Sequence, residues 1–306
     1  MMHDEARGEA ERPLRGRVAV VTGASRGAGR GIALELGAAG ATVYVTGRST
    51  RGAPAPGYDS ILRESELAAL PGTIDDTAEE VTRLGGTGIP VRCDHAREDE
   101  VRALFARVEG EHGGLDLLVN NAWGGHEAFS RAAFGAPFWE QAMEQWDAMF
   151  DRGVRNHLLA SRVAAPILIR QGRGLIVTTT YWDRGGYLRG NLFYDLAKAA
   201  MVRLAFSMAE ELRPHGVASL AVSPGWMRTE FVLASQKADE STWRDHPAFA
   251  GTESPRYVGR AVAALAADPG VIAKSGGVHR VGDLAVEYGF TDIDGRVVPP
   301  FELGEE

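Results

Sequence analysis

Hydrophobic and polar positions follow one repeating order along this chain. A short β-branched run leads into a glycine or polar turn, and a longer segment with apolar residues on one helical face follows. Strands are expected at 17–22, 41–46, 88–94, 115–120, 175–180 and 217–222, with a last one near 278–281. Between them, helices are expected at 32–36, 74–84, 98–111, 146–171, from about Tyr194 to Pro214, and 254–267. The helix at 98–111 places Val101, Leu104, Phe105 and Val108 on one face. Pro166 predicts a kink or an earlier end in 146–171. The Tyr194 helix carries Leu196, Ala200, Leu204, Met208 and Leu212 as an apolar stripe, and Ser254 with Pro255 starts the next helix. Strand and helix alternate throughout, which predicts an α/β fold: one doubly wound parallel sheet of about seven strands with helices on both faces.

Four stretches break the order. Residues 50–72 are rich in Gly, Pro and Ala and read as an inserted loop with a short helix at 61–70. Residues 123–145 are irregular and aromatic, with Phe129, Phe134, Phe138 and Trp139. Residues 226–252 are long and non-periodic, a candidate lid, and 283–306 form a C-terminal extension. Residues 1–15 are polar and read as a mobile tail ahead of a single domain, 16–306.

Composition narrows the function. The net charge of -8 argues against a nucleic-acid partner and gives no pull toward anionic membranes. No apolar run approaches the roughly 18 residues needed to span a bilayer. Cys93 is the sole cysteine, and the histidines lack His-x-x-x-His spacing, so neither a disulfide framework nor a metal site is expected. These features fit a cytoplasmic enzyme.

Two stretches carry chemistry. Gly23-Ala-Ser25-Arg26-Gly27-Ala-Gly29 joins the first strand to the first helix, the context in which glycines let backbone N–H groups and a helix N-terminus approach a pyrophosphate. The second strand ends at Arg48, where an acid would bind a ribose 2′-hydroxyl and an arginine a 2′-phosphate. Arg48 and Arg26, with no acid there, point to NADP(H) over NAD(H). Further on, lysine occurs only at 198, 237 and 274. Tyr194 and Lys198 share a helical face, so the ammonium can lie near the phenol, favour the phenolate and make it a usable proton donor and acceptor.

In this order the motifs resemble the short-chain dehydrogenase/reductase superfamily over about residues 16–282, which implies a Rossmann-type fold. The resemblance makes Gly23, Ser25, Arg26, Gly27 and Gly29 the cofactor turn. It makes Asp94 the adenine contact, places Asn121 in the Asn-Asn-Ala motif, and has Pro224, Gly225 and Thr229 hold the nicotinamide carboxamide. It also makes Asn156, Tyr194 and Lys198 catalytic: Tyr194 donates the proton, Lys198 holds the nicotinamide ribose, and Asn156 positions a relay water. A homodimer or homotetramer paired through the helices bearing Asn156 and Tyr194 is implied too. The Asn-Ala-Trp variant, the 123–145 insertion and the tail from Asp283 to Gly295 look similar to the member 1-type branch.

Two departures stand out. The family's serine after the fifth strand is replaced. Strand alignment gives Thr180 and counting back from Tyr194 gives Tyr181, and the β-branched shape of Thr180 favours it for the strand end. Trp123 replaces a common glycine. Trp123, Trp139, Trp182, Tyr187 and Trp226 fall at the carboxyl ends of the strands, either as an aromatic pocket or as packing for the inserted loops. The expected function is an NADP(H)-dependent reductase of a bulky apolar ketone or aldehyde, or the reverse alcohol oxidation. The alternatives are a non-catalytic NADP(H)-binding sensor or scaffold, and a lyase or epimerase using the same tyrosine.

Overall fold

Seven parallel strands form one sheet in the order β3-β2-β1-β4-β5-β6-β7: β1 Val18–Thr22, β2 Thr42–Gly47, β3 Thr87–Arg92, β4 Leu117–Asn120, β5 Gly174–Thr179, β6 Val217–Ser223 and β7 Val278–Arg280. This computed structural model describes residues 12–53, 70–127, 135–182, 186–187 and 190–303. The 61–70 helix, except for Leu70, and Phe129 and Phe134 lie outside the described residues, as does most of the N-terminal tail.

Alternation along each strand splits the core in two. Ala19, Val21, Val43, Val45, Leu117 and Val119 face helices α1 (Gly27–Ala38), α2 (Ile74–Arg83) and α8 (Pro255–Ala267). Val18, Val20, Tyr44, Leu118 and Ile176 face α3 (Glu98–His112) and α5 (Arg155–Gln171). Both faces are covered, so the inner strands read as continuous apolar runs. Pro90 sits in β3, an edge strand, where a missing N–H leaves no central ladder bond unmade. Local signals set the helix ends: the Thr73 hydroxyl accepts the Asp76 N–H at 3.0 Å to start α2, and Gly113, at φ 70°, stops α3.

Several expectations are corrected. The 146–171 segment is not one helix: α4 (Met143–Met149) passes through a π-helical turn at Phe150–Val154 into α5, which runs through Pro166 to Gln171. The break thus falls well before the proline. In α6 (Leu192–Leu212) the buried set is Phe193, Ala197, Met201, Ala205, Ala209 and Leu212, so of the expected stripe Leu212 is buried while Leu196 is exposed. Small residues let α6 approach the sheet so closely that the Ser219 hydroxyl of β6 donates to the Ala205 carbonyl at 3.0 Å. Ser254 precedes α8, but its hydroxyl donates to the Asp292 carboxylate instead of capping the helix. The last strand ends at Arg280, and Val281 begins α9 (Val281–Tyr288). The 226–252 stretch holds α7 (Glu230–Ser235) and a small core of Leu233, Trp243 and Phe249. No helix among the described residues is long and apolar enough to cross a membrane.

Candidate active site

The carboxyl ends of β1 and β4 meet where the winding of the sheet reverses, the place where such sheets open a crevice. A cavity of about 640 Å³ lies there. Every expected site residue lines it except Gly29, which packs beneath the turn. A Cβ at Gly29 would stand 2.3 Å from the Gly23 carbonyl oxygen, and one at Gly23 would stand 2.8 Å from Ala122 Cα. Gly23 and Gly27 also adopt left-handed φ of 66° and 54°. The Thr22 hydroxyl accepts the Asn121 and Ala122 N–H groups, both at 2.9 Å, and the Asn121 amide donates back to the Thr22 and Gly23 carbonyls, both at 3.1 Å. Asn121 thus shapes the turn from the neighbouring strand.

This turn and the residues beside it fit a nicotinamide dinucleotide. The glycines leave backbone open to a pyrophosphate at the start of α1. At the far end Asn156 Oδ1 is buried with no hydrogen-bond partner, as an acceptor awaiting a donor. The π-helical turn contributes here: the Arg152 carbonyl accepts both the Gly124 N–H at 2.8 Å and the Asn156 side-chain amide at 2.9 Å. That pins the loop after β4 and leaves Oδ1 as the free end of Asn156.

At the opposite end of the cavity the expectation of two arginines and no acid is corrected. Glu127, from the insertion after β4, forms salt bridges with both Arg48 and Arg152, and its side chain is only 7% exposed. Arg26 turns to the 71–72 backbone, donating to the Pro71 and Gly72 carbonyls, both at 2.9 Å, and to the Ser49 hydroxyl at 3.0 Å. A second carboxylate, on Glu230 of α7, accepts the Gly27 N–H at 2.8 Å. Nothing local to the β2 terminus or the turn signals either acid.

Tyr194 opens α6 and Lys198 lies one turn on. The ammonium lies 3.9 Å from the centroid of Trp123 and 5.2 Å from that of Tyr194. The phenol is raised here, not depressed as expected. Burial pushes Tyr194 well above its ordinary value, with Tyr181 adding to the rise. Burial also pulls Lys198 down to about 7. The cause is geometric: the cation rests on ring faces inside a protein-walled cavity, so loss of water outweighs attraction. Two histidines missed in the sequence share this region. His126 is lowered to about 4 and His157 to about 3, in both cases by burial first and then by the Lys198 charge.

Thr180 follows β5, and its hydroxyl donates to the Lys198 carbonyl at 2.9 Å, tying the strand end to α6. Tyr181 lines the cavity with its ring centroid 6.3 Å from that of Tyr194. The aromatic pocket is realised only in part. Trp123 and Trp226 line the cavity, joined by Tyr181 and Phe231, while Trp139 (71% exposed), Trp182 and Tyr187 do not. Beneath Pro224–Gly225, buried Glu253 is lifted to about 8 by desolvation, and a Cβ at Gly225 would stand 2.9 Å from its Oε2. Beyond it Arg228, 0% exposed, pairs with Asp292 at 3.3 Å and Asp294 at 3.6 Å, fastening the 226–252 segment to the C-terminal extension.

Comparison with known proteins agrees with this architecture. A family model described as Enoyl-(Acyl carrier protein) reductase matches residues 64–273. Dehydrogenase/reductase SDR family member 1 of Mus musculus is 42% identical over 301 residues, 95% of this chain and 88% of that protein. Its Homo sapiens counterpart is 39% identical over 296 residues, 94% of this chain and 87% of that protein. Among solved structures, a short chain dehydrogenase of Mycobacterium thermoresistibile superposes with a TM-score of 0.75 at 29% identity, covering 96% of this chain and 95% of that one.

Proposed function

The chain belongs to the short-chain dehydrogenase/reductase family, and from that premise we propose that it is an NADP(H)-dependent reductase of a bulky apolar ketone or aldehyde. The observation that carries this reading is the placement of Tyr194, Lys198 and the unpartnered Asn156 Oδ1 around one cavity, with the glycine turn at its other end. The nicotinamide, when bound, supplies the hydride. Tyr194 donates its phenolic proton to the carbonyl oxygen that becomes the alcohol. Its burial keeps that proton in place until the oxygen gains charge, and Lys198, near 7, exchanges protons readily at neutral pH. Asn156 Oδ1 accepts a hydrogen bond from a relay water. Gly23, Ser25, Gly27, Asp94, Asn121, Pro224, Gly225 and Thr229 hold the dinucleotide, Lys198 its nicotinamide ribose and Arg48 its 2′-phosphate.

The single Thr180 proton is engaged by the Lys198 carbonyl. The second hydroxyl facing the substrate oxygen therefore belongs, in this reading, to Tyr181. Trp226 (47% exposed) and Phe231 beside the catalytic end support a large apolar substrate. The exposed Leu158 and Leu196 support pairing of two copies through α5 and α6, and the single buried Cys93 supports a cytoplasmic setting.

The test is NADPH oxidation against a panel of ketones and aldehydes. Tyr194→Phe should lower kcat by roughly 10²–10⁴-fold with NADPH affinity retained. Unchanged turnover would sink the catalytic assignment. A second reading, a non-catalytic NADP(H) sensor, draws on Lys198 resting on the Trp123 ring and on the burial that holds the Tyr194 proton in place. Tight NADPH binding with no turnover by wild type on the whole panel would favour it.

A further inference from the structure

We propose that two carboxylates of this chain, Glu127 and Glu230, are internal stand-ins for the phosphates of the cofactor and must be displaced for it to bind, Glu127 by a 2′-phosphate and Glu230 by the pyrophosphate. The inference rests on the NADP(H) reading of the cavity and deepens it.

Glu230 sits where a pyrophosphate is recognised. Its Oε2 accepts the Gly27 N–H at 2.8 Å across 203 positions of sequence. Gly27 is the first residue of the 12-residue helix α1, whose N-cap Arg26 makes no side-chain capping hydrogen bond to the helix and whose first turn holds no acid. The helix end therefore takes its anion from α7. A pyrophosphate at α1 and the Glu230 carboxylate compete for the same N–H group and the same positive end of the helix dipole. Thr229, the N-cap of α7, stands against this spot: a Cβ at Gly27 would be 3.6 Å from its methyl. Displacing Glu230 therefore moves the start of the 226–252 segment, where Trp226 borders the catalytic end.

Glu127 sits where a 2′-phosphate is recognised. Arg48 leaves the end of β2, Arg152 leaves the π-helical turn, and both meet the one Glu127 carboxylate. Two guanidinium groups converging on one carboxylate form a site for an oxyanion. A phosphate monoester carries more charge and more acceptor oxygens than a carboxylate, so it can replace Glu127 on the same donors. An unphosphorylated ribose offers no such replacement. Glu127 therefore opposes NADP(H) and not NAD(H), whose 2′-hydroxyl can donate to the carboxylate, whereas Glu230 opposes both.

Equilibrium calorimetry with NADP⁺ and NAD⁺ tests this on the intact protein. Glu127→Gln should tighten NADP⁺ binding by about tenfold and should not tighten NAD⁺. Glu230→Gln should tighten both dinucleotides by similar factors. Glu127→Asp keeps the charge but shortens the reach, and should tighten NADP⁺ by a smaller factor, a safeguard if the glutamine variant folds poorly. Unchanged or weaker NADP⁺ binding in Glu127→Gln overturns the role of Glu127, as does an equal gain for NAD⁺. No gain for either dinucleotide in Glu230→Gln overturns the role of Glu230. Failure of the underlying reading looks different: wild type would prefer NAD⁺, and Arg48→Ala would leave NADP⁺ affinity unchanged.

Discussion

Lys198 in the cavity at the carboxyl ends of the strands and Arg228 between the 226–252 segment and the tail are two cations withdrawn from water onto a tryptophan face. Lys198 lies 3.9 Å from the Trp123 ring centroid and Arg228 lies 4.1 Å from that of Trp243. Their remaining partners differ. Asp292, Asp294, the more distant Glu240 at 3.7 Å and the Thr252 carbonyl at 3.1 Å surround Arg228. Lys198 has no carboxylate to offset burial among the described residues, and burial draws it down to about 7. An aromatic face contributes about 0.5–2 kcal/mol, too little to replace lost hydration. The difference teaches what each cation is for: one is a fastener whose charge is answered on several sides, the other a group left able to lose its proton.

The comparison breaks most visibly at Arg228. Arg228→Leu should cost about 3–5 kcal/mol of folding stability in urea, because Asp292 stays buried without its counter-ion, whereas Asp294 keeps Arg296 at 2.9 Å. A loss below about 1 kcal/mol would mean that the fastener is dispensable. Trp123→Leu should have a smaller effect, removing about 0.5–2 kcal/mol of support for the Lys198 ammonium. The limb of the turnover profile that follows Lys198 should then move to lower pH; an unmoved limb would detach Trp123 from Lys198.

The subtlest effect lies in stability against pH. Between about pH 8 and 10 the unfolded chain keeps the Lys198 proton, whose ordinary value is 10.5, while the folded chain has released it. Stability therefore rises with pH across that window, and Lys198→Met should flatten the rise. Glu253, beside Arg228, gives the opposite slope. Its folded carboxyl holds a proton up to about 8 while the unfolded one loses it near 4.5, so stability falls as pH rises between those values. Glu253→Gln should remove that fall in a urea series.

The sheet and the Tyr194 helix are legible in the sequence because their signals are local. β-branched runs, a glycine turn and a Tyr–Lys pair one helical turn apart need no knowledge of distant chain. Apart from Leu212, the buried face of α6 is not legible from bulk, which favours Leu196 and Leu204, whereas close contact with β6 demands Ala197, Ala205 and Ala209. The break ahead of α5 was missed because Pro166 is a conspicuous helix-breaker and the π-helical turn carries no such mark. Glu127 and Glu230 carry no local signal, because Arg48 and Gly27, to which they bond, lie 79 and 203 positions away. Arg228 reads as one surface arginine among many until the tail folds over it.

The Thr22 hydroxyl, which accepts two N–H groups from the loop after β4, has a consequence for how the molecule is assembled. It joins residues 99 and 100 positions apart, across the parallel pairing of β1 with β4. Such contacts form only after a long loop has closed, which makes them late and slow. During synthesis the first half of the sheet can emerge with its glycines in place and still lack the groove, because the wall set by Asn121 and Ala122 has not arrived. Dinucleotide added to a nascent or truncated first half should therefore give it no protection against proteolysis, and its stabilising effect should switch on abruptly once β4 has paired.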